Sequence, residues 1–242
     1  MKRTIANKGW IKMNSNDIQL SFTEQGTGEV LLLLHGNNED SDFFVNQIPH
    51  FSKKYRVIAV DTRGHGKTLR GEKPFTIRQF ADDLFYFMEE HKIEKATILG
   101  FSDGGNIALL FALKYPEKVE KLIVNGANLN PQGVVFFEQL ITDVEFYVMF
   151  LLSKFNDRCK KKAEMLRLMV KDPNINKEEL QKIKVETLVI AGTKDLIKER
   201  HTREIYKAIP NAKISFVEGN HFMAKYNHKD FNKAVDMFLE IK

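Results

Sequence analysis

Short apolar runs recur along the chain, and between them lie stretches with apolar residues at every third or fourth position. Continuous apolar runs are typical of strands buried on both faces of a sheet, whereas the spaced pattern is typical of amphipathic helices. Alternation over Asp17–Glu24 predicts an antiparallel strand. The predicted buried strands are Val30–Leu34, Arg56–Val60, Ala96–Leu99, Leu122–Val124, Leu188–Ala191 and Ile214–Val217.

The predicted helices lie between these strands, at Thr76–Glu90, Gly105–Tyr115, Thr202–Ile209 and Lys229–Ile241. This alternation predicts an α/β fold, with a mostly parallel sheet and helices on both faces. Residues 131–183 depart from it, because their pattern predicts helices alone. We interpret 131–183 as a small helical cap inserted into a core formed by 1–130 and 184–242. Its helices are predicted at Pro131–Phe155, Arg158–Lys171 and Lys177–Ile183.

A serine lies between small residues in the sequence GFSDGG, directly after the predicted strand Ala96–Leu99. Ser102 has Gly100 two residues before it and Gly104 two residues after it. A chain that passes from strand to helix within one or two residues strains the residue at the apex and leaves no room for side chains at these neighbouring positions. This G-x-S-x-G pattern, in a strand–turn–helix context, predicts a nucleophile elbow with Ser102 as the nucleophile.

A serine hydroxyl needs a base to become a useful nucleophile. After an elbow of this kind, the acid and then the histidine are expected later in the chain. Asp195 follows the strand Leu188–Ala191, and His221 follows the strand Ile214–Val217, so both are expected at the same sheet edge as Ser102. We therefore predict a catalytic triad of Ser102, Asp195 and His221. For Asp195, the structural alternative is a turn or helix-capping residue.

The chemistry also requires donors for the negative charge that develops on the substrate oxygen. The backbone N–H of Asp103, at the start of the helix after the elbow, is one candidate. The other is the backbone N–H of Asn37, in the sequence LLLLHGNN after the first buried strand. The alternative for this second segment is a simple turn.

Together these segments resemble the α/β-hydrolase superfamily: LLLLHGNN, VIAVDTRGHGKT, ILGFSDGGNIAL, LVIAGTKDLI and GNHF occur in its usual order and spacing. The resemblance implies an eight-stranded sheet and the triad named above. The Ser-Asp-Gly-Gly form of the elbow is similar to the valacyclovir-hydrolase and enol-lactonase-like branches. The first of these implies that Asp103 could receive a substrate ammonium group, whereas the structural alternative is favourable electrostatics at the helix N-terminus.

These residues predict a serine hydrolase that cleaves a small carboxylic ester, thioester or lactone through an acyl-enzyme. Two alternatives remain open. One is other chemistry on the same residues, such as carbon–carbon hydrolysis, perhydrolysis or a lyase reaction. The other is a non-catalytic protein that binds small molecules. No cofactor or metal is expected, since the pattern needs none and no metal-ligand spacing occurs.

The predicted cap contains the apolar sequence VVFFEQLITDVEFYVMFLLSKF. A helix that is apolar on more than one face is expected to be buried or to cover a pocket. We expect Phe137, Leu140 and Tyr147 to contact substrate, together with Phe101 of the elbow. The alternative is that these cap residues only pack the cap on the core.

Charge and composition narrow the remaining possibilities. The net charge is +5, and the segment 154–171 alone carries seven basic and two acidic residues. This clustering, without a recognition motif, does not favour nucleic-acid binding. The basic run is expected to be a solvated outer face, or to steer anionic substrates. A single cysteine, no apolar leader and no membrane-length apolar segment favour a cytoplasmic protein without stable membrane insertion. The oligomeric state is open.

Overall fold

The computed structural model describes residues 16–240. Two predictions fall outside these residues. They are the lack of an apolar leader in the N-terminal segment and the end of the last predicted helix at Ile241. Within them the chain forms one seven-stranded sheet. Its strands are β1 (Phe22–Gln25), β2 (Val30–Leu34), β3 (Arg56–Val60), β4 (Ala96–Phe101), β5 (Val119–Asn125), β6 (Thr187–Lys194) and β7 (Ala212–Asn220).

The strands are arranged in the order β1-β3-β2-β4-β5-β6-β7. β1 is antiparallel to β3, and every other neighbouring pair is parallel. This confirms the predicted α/β fold with a mostly parallel sheet. Because the parallel strands run in one direction, the residues that follow β2, β4, β6 and β7 meet at one edge of the sheet.

The sheet differs from expectation at its antiparallel edge. Strand β1 begins at Phe22, five residues later than predicted, because the preceding polar groups bond elsewhere. The amide of Ser21 donates to the Thr68 hydroxyl, and the Asp17 carboxylate binds the Arg63 guanidinium. The count of eight strands implied by the family resemblance is not reached among residues 16–240, which contain seven.

Helices cover both faces of the sheet. Two buried apolar clusters fill the two layers between helices and sheet, one on each side of it. The helices are α1 (Ile48–Phe51), α2 (Ile77–Glu90), α3 (Asp103–Lys114), α4 (Phe136–Leu152), α5 (Asp157–Lys171), α6 (Glu199–Ala208), α7 (Met223–Tyr226) and α8 (His228–Leu239). The short helices α1 and α7 have no counterpart among the predicted elements, because four residues are too few to show a helical period.

Helices α4 and α5 lie between β5 and β6, inside the segment interpreted as a cap. Phe146 is the one buried side chain that α4 contributes. Helix α5 is tied to the core by the Arg70 guanidinium, which binds the Glu164 carboxylate at 2.9 Å. None of the helices between residues 16 and 240 is both long enough and apolar enough to cross a membrane.

Candidate active site

The turn from β4 into α3 places Ser102 in an unusual backbone conformation. Its φ is 53° and its ψ is −119°, a region that non-glycine residues rarely occupy. Such strain costs on the order of 1–3 kcal/mol and persists only where the surrounding structure enforces it. Here the Ser102 amide donates to the carbonyl of Asn125 at the end of the neighbouring strand β5, which holds the apex of the turn in place.

The glycines of the elbow are required by close backbone contacts. A Cβ atom added to Gly100 would lie 2.1 Å from the carbonyl oxygen of Gly104. One added to Gly104 would lie 2.0 Å from the carbonyl oxygen of Leu34, at the end of β2. Any side chain at either position would therefore force apart the strand, the turn or the helix, and the serine would move with them.

Three side chains from three different strand ends meet at this elbow. The Nε2 atom of His221 is 3.0 Å from Ser102 Oγ, and its Nδ1 atom is 2.7 Å from Asp195 Oδ1. An ionised Asp195 can only accept, so Nδ1 donates to it and Nε2 is left to accept the serine proton. The structure thus brings together the three residues that the sequence selected for the triad. All seven histidines lie in the described region, and His221 alone has a ring nitrogen within hydrogen-bond distance of Ser102.

Asp195 is held in its ionised form. Burial, the largest single influence, raises the pKa of its carboxyl, but the hydrogen bond and charge of His221 and the backbone N–H groups of Ile197 and Gly192 together lower it by more. Those amides donate to the carboxylate at 2.9 and 3.1 Å. The net pKa of Asp195 therefore lies below its ordinary value. A permanently charged carboxylate orients the imidazole and stabilises its protonated form.

Two backbone amides near Ser102 are candidate donors to a substrate oxygen. Neither the Asn37 amide nor the Asp103 amide donates a hydrogen bond to another residue in the 16–240 range. Asp103 is the first residue of α3, where the helix dipole favours negative charge. The Asn37 loop packs directly on the elbow, since a Cβ added to Gly36 would lie 3.1 Å from Ser102 Cβ. These amides are the two candidates that the sequence analysis named.

The carboxylate of Asp103 is bound by neighbouring side chains and lies outside the cavity above Ser102. It accepts hydrogen bonds from the side-chain amides of Asn37, at 2.9 Å, and Asn106, at 3.4 Å. Burial raises the pKa of Asp103 to about 6. Its side chain does not line the cavity above Ser102. These contacts therefore favour a structural role for the Asp103 carboxylate. They do not support the idea that it binds a substrate ammonium group.

A cavity of about 660 Å³ opens above Ser102, which is a size typical of small-molecule sites. Its floor includes Phe101, Ser102 and His221. Its apolar wall comes mainly from α5 and the loop after β6, through Met165, Leu166, Met169 and Leu196. Its polar wall consists of Glu39, Thr142, Glu145, Arg158, Lys161 and Lys162, with Asn37 and Asn38 at the oxyanion loop.

The cap residues predicted to contact substrate are found elsewhere. Phe137, Leu140 and Tyr147 are all exposed, at 73%, 45% and 54% of their surface, and none lines the cavity. Helix α4 instead presents Thr142 and Glu145 to it. Because a helix turns about 100° per residue, positions 137, 140 and 147 lie on the side roughly opposite Thr142. Of the four predicted contacts, the structure places Phe101 alone in the cavity wall.

Two features of the site, Gly126 and Glu39, were not predicted from the sequence. Gly126 has a φ of +60°, and a Cβ atom there would lie 2.7 Å from Cε1 of His221. A glycine directly after strand β5 was the available signal. Glu39, in the sequence HGNNED, accepts a hydrogen bond from the Gly36 amide at 3.1 Å and faces the cavity. Its proximity to the predicted oxyanion loop was a further signal.

No metal site accompanies these groups. In the part of the chain that the structure describes, no cluster of three or more His, Cys, Asp or Glu side chains has a geometry suited to a metal ion. Ser102, His221 and Asp195 form a hydrogen-bonded chain in which the imidazole can take the serine proton and the buried carboxylate holds the imidazole in place. Such an arrangement supports nucleophilic attack on a carbonyl carbon.

The sequence itself matches the family defined by the alpha/beta hydrolase fold over residues 29–158. The chain belongs to this family. It is 29% identical to the human serine hydrolase BPHL, over an alignment that covers 95% of this chain and 86% of the relative. It is 30% identical to 3-oxoadipate enol-lactonase 2 from Acinetobacter baylyi, over 46% of this chain and 43% of that protein.

Solved structures agree with this assignment at the level of the fold. The enol-lactonase from Burkholderia xenovorans superposes with a TM-score of 0.77 at 23% identity, covering 93% of this chain and 98% of that one. A meta-cleavage product hydrolase from Pseudomonas fluorescens superposes with a TM-score of 0.75 at 23% identity, covering 92% and 94%. The relatives therefore include hydrolases of more than one chemistry.

Proposed function

We propose that this protein is a serine hydrolase that cleaves a small carboxylic ester, thioester or lactone through an acyl-enzyme. The observation that carries the proposal is the continuous hydrogen-bonded path from Ser102 through His221 to Asp195, at 3.0 and 2.7 Å, on the floor of the cavity. These groups supply nucleophile, base and orienting acid, so the reaction needs no cofactor.

The reaction follows from this geometry. Ser102 Oγ attacks the substrate carbonyl carbon while its proton passes to Nε2 of His221. The Asn37 and Asp103 amides stabilise the oxyanion that forms. As the intermediate collapses, the bond from carbon to the leaving oxygen or sulfur breaks, and His221 returns the proton to the leaving group. Water then repeats the sequence at the acyl carbon, which releases the acid and restores the serine.

Hydrolysis of p-nitrophenyl acetate, butyrate and octanoate tests the proposal. We expect turnover by the wild-type protein with an initial burst of p-nitrophenol, since an acyl-enzyme accumulates when its hydrolysis is slow. Ser102→Ala should reduce kcat by roughly 10⁴-fold or more. Asp195→Asn should reduce it by about 10⁴-fold, because His221 is then no longer held in the tautomer whose Nε2 atom accepts the serine proton. Ser153→Ala, at the end of α4 and outside the cavity, is the matched control.

The alternatives have distinct outcomes. An inactive wild-type protein with a correct fold, checked by circular dichroism, would contradict ester cleavage. Carbon–carbon bond hydrolysis or perhydrolysis on the same triad would then be tested next, because structures of similar fold include a meta-cleavage product hydrolase. Tight binding of small molecules without any turnover would instead indicate a binding protein.

A further inference from the structure

Three basic side chains of the cap face the cavity above Ser102. Arg158, Lys161 and Lys162 lie on α5 at positions i, i+3 and i+4, which share one face of a helix. These side chains are exposed to solvent, as the sequence predicts, and they also line the cavity. Lys160, on the same helix turn, does not line the cavity.

The charges of this wall are only partly balanced. Lys162 pairs with Glu145 of α4. Neither Arg158 nor Lys161 forms an ion pair with any described residue. The other acid in the wall is Glu39, and burial raises the pKa of its carboxyl to about 7, so much of it is neutral near neutral pH. The cavity thus keeps an excess of positive charge at its cap side.

The helix that carries the basic face contacts the loop beside the elbow. The Asn37 side chain donates to the carbonyl oxygen of Met165, at 3.0 Å, and so ties α5 to the oxyanion loop. Lys161 and Arg158 lie four and seven residues before Met165. At 1.5 Å per residue, this places them about 6 and 10 Å further along the helix axis. The apolar side chains of Met165 and Leu166, on the same helix, also line the cavity.

We propose that the substrate carries an oxyanionic group, a carboxylate or a phosphate, which Arg158 and Lys161 bind at the cap side while the scissile carbonyl lies at Ser102. The guanidinium offers bidentate hydrogen bonds and the ammonium a second charge. This inference rests on the proposed function, and it assigns a substrate class to that site.

Matched pairs of esters test the selectivity. The mono-p-nitrophenyl esters of succinate, adipate and suberate carry a carboxylate, whereas p-nitrophenyl butyrate, hexanoate and octanoate have similar length and no charge. We expect the wild-type kcat/KM to favour the anionic member about tenfold at the best length, mainly through KM. The preference should weaken with added salt, because exposed charges are screened.

Variants then locate the effect. Arg158→Gln combined with Lys161→Gln should abolish the preference for the anionic member of each pair. Lys160→Gln removes one charge from the same helix outside the cavity and should leave the preference unchanged. Turnover of neutral esters without preference for anionic ones would overturn this inference and leave the proposed function intact. An equal loss of preference in Lys160→Gln would indicate only a general effect of net charge.

Binding provides a readout that is independent of turnover. The Ser102→Ala variant should bind monomethyl adipate more tightly than dimethyl adipate in a calorimetric titration, even if no ester is hydrolysed. Equal affinities would overturn the inference. Inhibition of the wild-type protein by adipate and by hexyl phosphate shows whether the site prefers a carboxylate or a phosphate. The compound that inhibits more tightly carries the preferred group. Failure of both to bind would also contradict the proposed site.

Discussion

Two carboxylates near Ser102 have opposite shifts in pKa, although both are removed from water. Burial raises the pKa of both groups. Asp195 accepts three hydrogen bonds, one from the imidazole and two from backbone amides, and these outweigh its burial. Glu39 accepts one, from the Gly36 amide, and its pKa therefore stays raised at about 7. The number of donors decides which carboxylate is charged at neutral pH.

This contrast predicts a pH dependence for Glu39. As pH rises through about 7, its carboxyl loses a proton and adds a negative charge to the cavity, near His221, Lys225 and Asp40. An anionic substrate is then repelled. For the wild-type protein, KM for the adipate half-ester should rise roughly two- to fivefold between pH 6 and 8 relative to KM for the hexanoate ester, which corresponds to about 0.5–1 kcal/mol.

The Glu39→Gln variant separates charge from hydrogen bonding. Its amide oxygen can still accept from the Gly36 amide, but it carries no charge at any pH. The KM ratio of the two esters should therefore become independent of pH in this variant. Glu138→Gln removes an exposed acid of α4 that lies outside the cavity, and it should keep the wild-type profile. A pH-dependent ratio that persists in Glu39→Gln would assign the titration to another group.

At the scale of single elements, the site depends on how closely β4, the elbow and α3 approach β2. Gly104 faces the carbonyl oxygen of Leu34, a backbone atom that cannot move without displacing a central strand. A Cβ added to Gly105 would lie 3.0 Å from the Cβ atom of Ala127 and 3.2 Å from the carbonyl oxygen of Gly100, so shifts of a few tenths of an ångström would accommodate it. The two glycines are adjacent in sequence but differ in what an added methyl group would meet.

Alanine substitutions should reveal this difference. Gly104→Ala should lower the free energy of unfolding by about 3 kcal/mol or more, because overpacking of this kind cannot relax. Gly105→Ala should cost less, since the higher helix propensity of alanine, worth about 1 kcal/mol, offsets a softer contact. Urea unfolding followed by circular dichroism measures both. Equal stability of Gly104→Ala and the wild type would show that the elbow tolerates a Cβ there.

At the scale of the whole molecule, a buried arginine joins three parts of the chain. The Arg63 side chain is fully buried and binds Asp83 of α2 at 2.7 Å and Asp17 ahead of β1 at 2.6 Å. Arg63 also donates to the backbone carbonyl oxygen of Arg70. The side chain of Arg70 in turn binds Glu164 of α5. Removal of one partner from a buried ion pair leaves an uncompensated charge.

Arg63→Met should therefore lower the free energy of unfolding by about 3–5 kcal/mol. The double variant Arg63→Met with Asp83→Leu should recover part of this loss, since no unpaired charge then remains at Asp83. Arg56→Met, which breaks the half-exposed pair with Glu24, should cost at most about 1 kcal/mol. Denaturant unfolding measures all three, and a cost no larger for Arg63→Met than for Arg56→Met would contradict this account.

The same cluster predicts acid sensitivity. The hydrogen bond from Arg63 holds the pKa of Asp17 well below its usual range, despite partial burial. Asp17 thus stabilises the folded protein above its unfolded pKa of about 4, and the contribution is lost as pH falls further. Stability of the wild type should fall more steeply below pH 4 than that of Arg63→Met. Parallel slopes would assign the acid sensitivity to other carboxyls.

Helix α4 illustrates where sequence patterns stop being informative. The sequence correctly identifies α4 as apolar on more than one face, but Phe137, Leu140 and Tyr147, which share one side of it, face outward. Periodicity specifies which residues share a face and says nothing of its direction, which depends on how α4 packs against α5. The basic residues of α5 illustrate the same limit. Their charge was evident from the sequence, but their position in the cavity wall was not.

The sequence by itself determined the order of strands and helices, the elbow, and the positions of Ser102, Asp195 and His221 at strand ends. These features are local, because apolar periods and glycine spacing act through backbone sterics within a few residues. Only the tertiary structure decided the start of β1, the outward direction of Phe137, Leu140 and Tyr147, the raised pKa of Glu39 and the enclosure of Asp103. Each of these depends on contacts between residues far apart in the chain, and burial and hydrogen-bond partners there follow from the packing of the whole molecule.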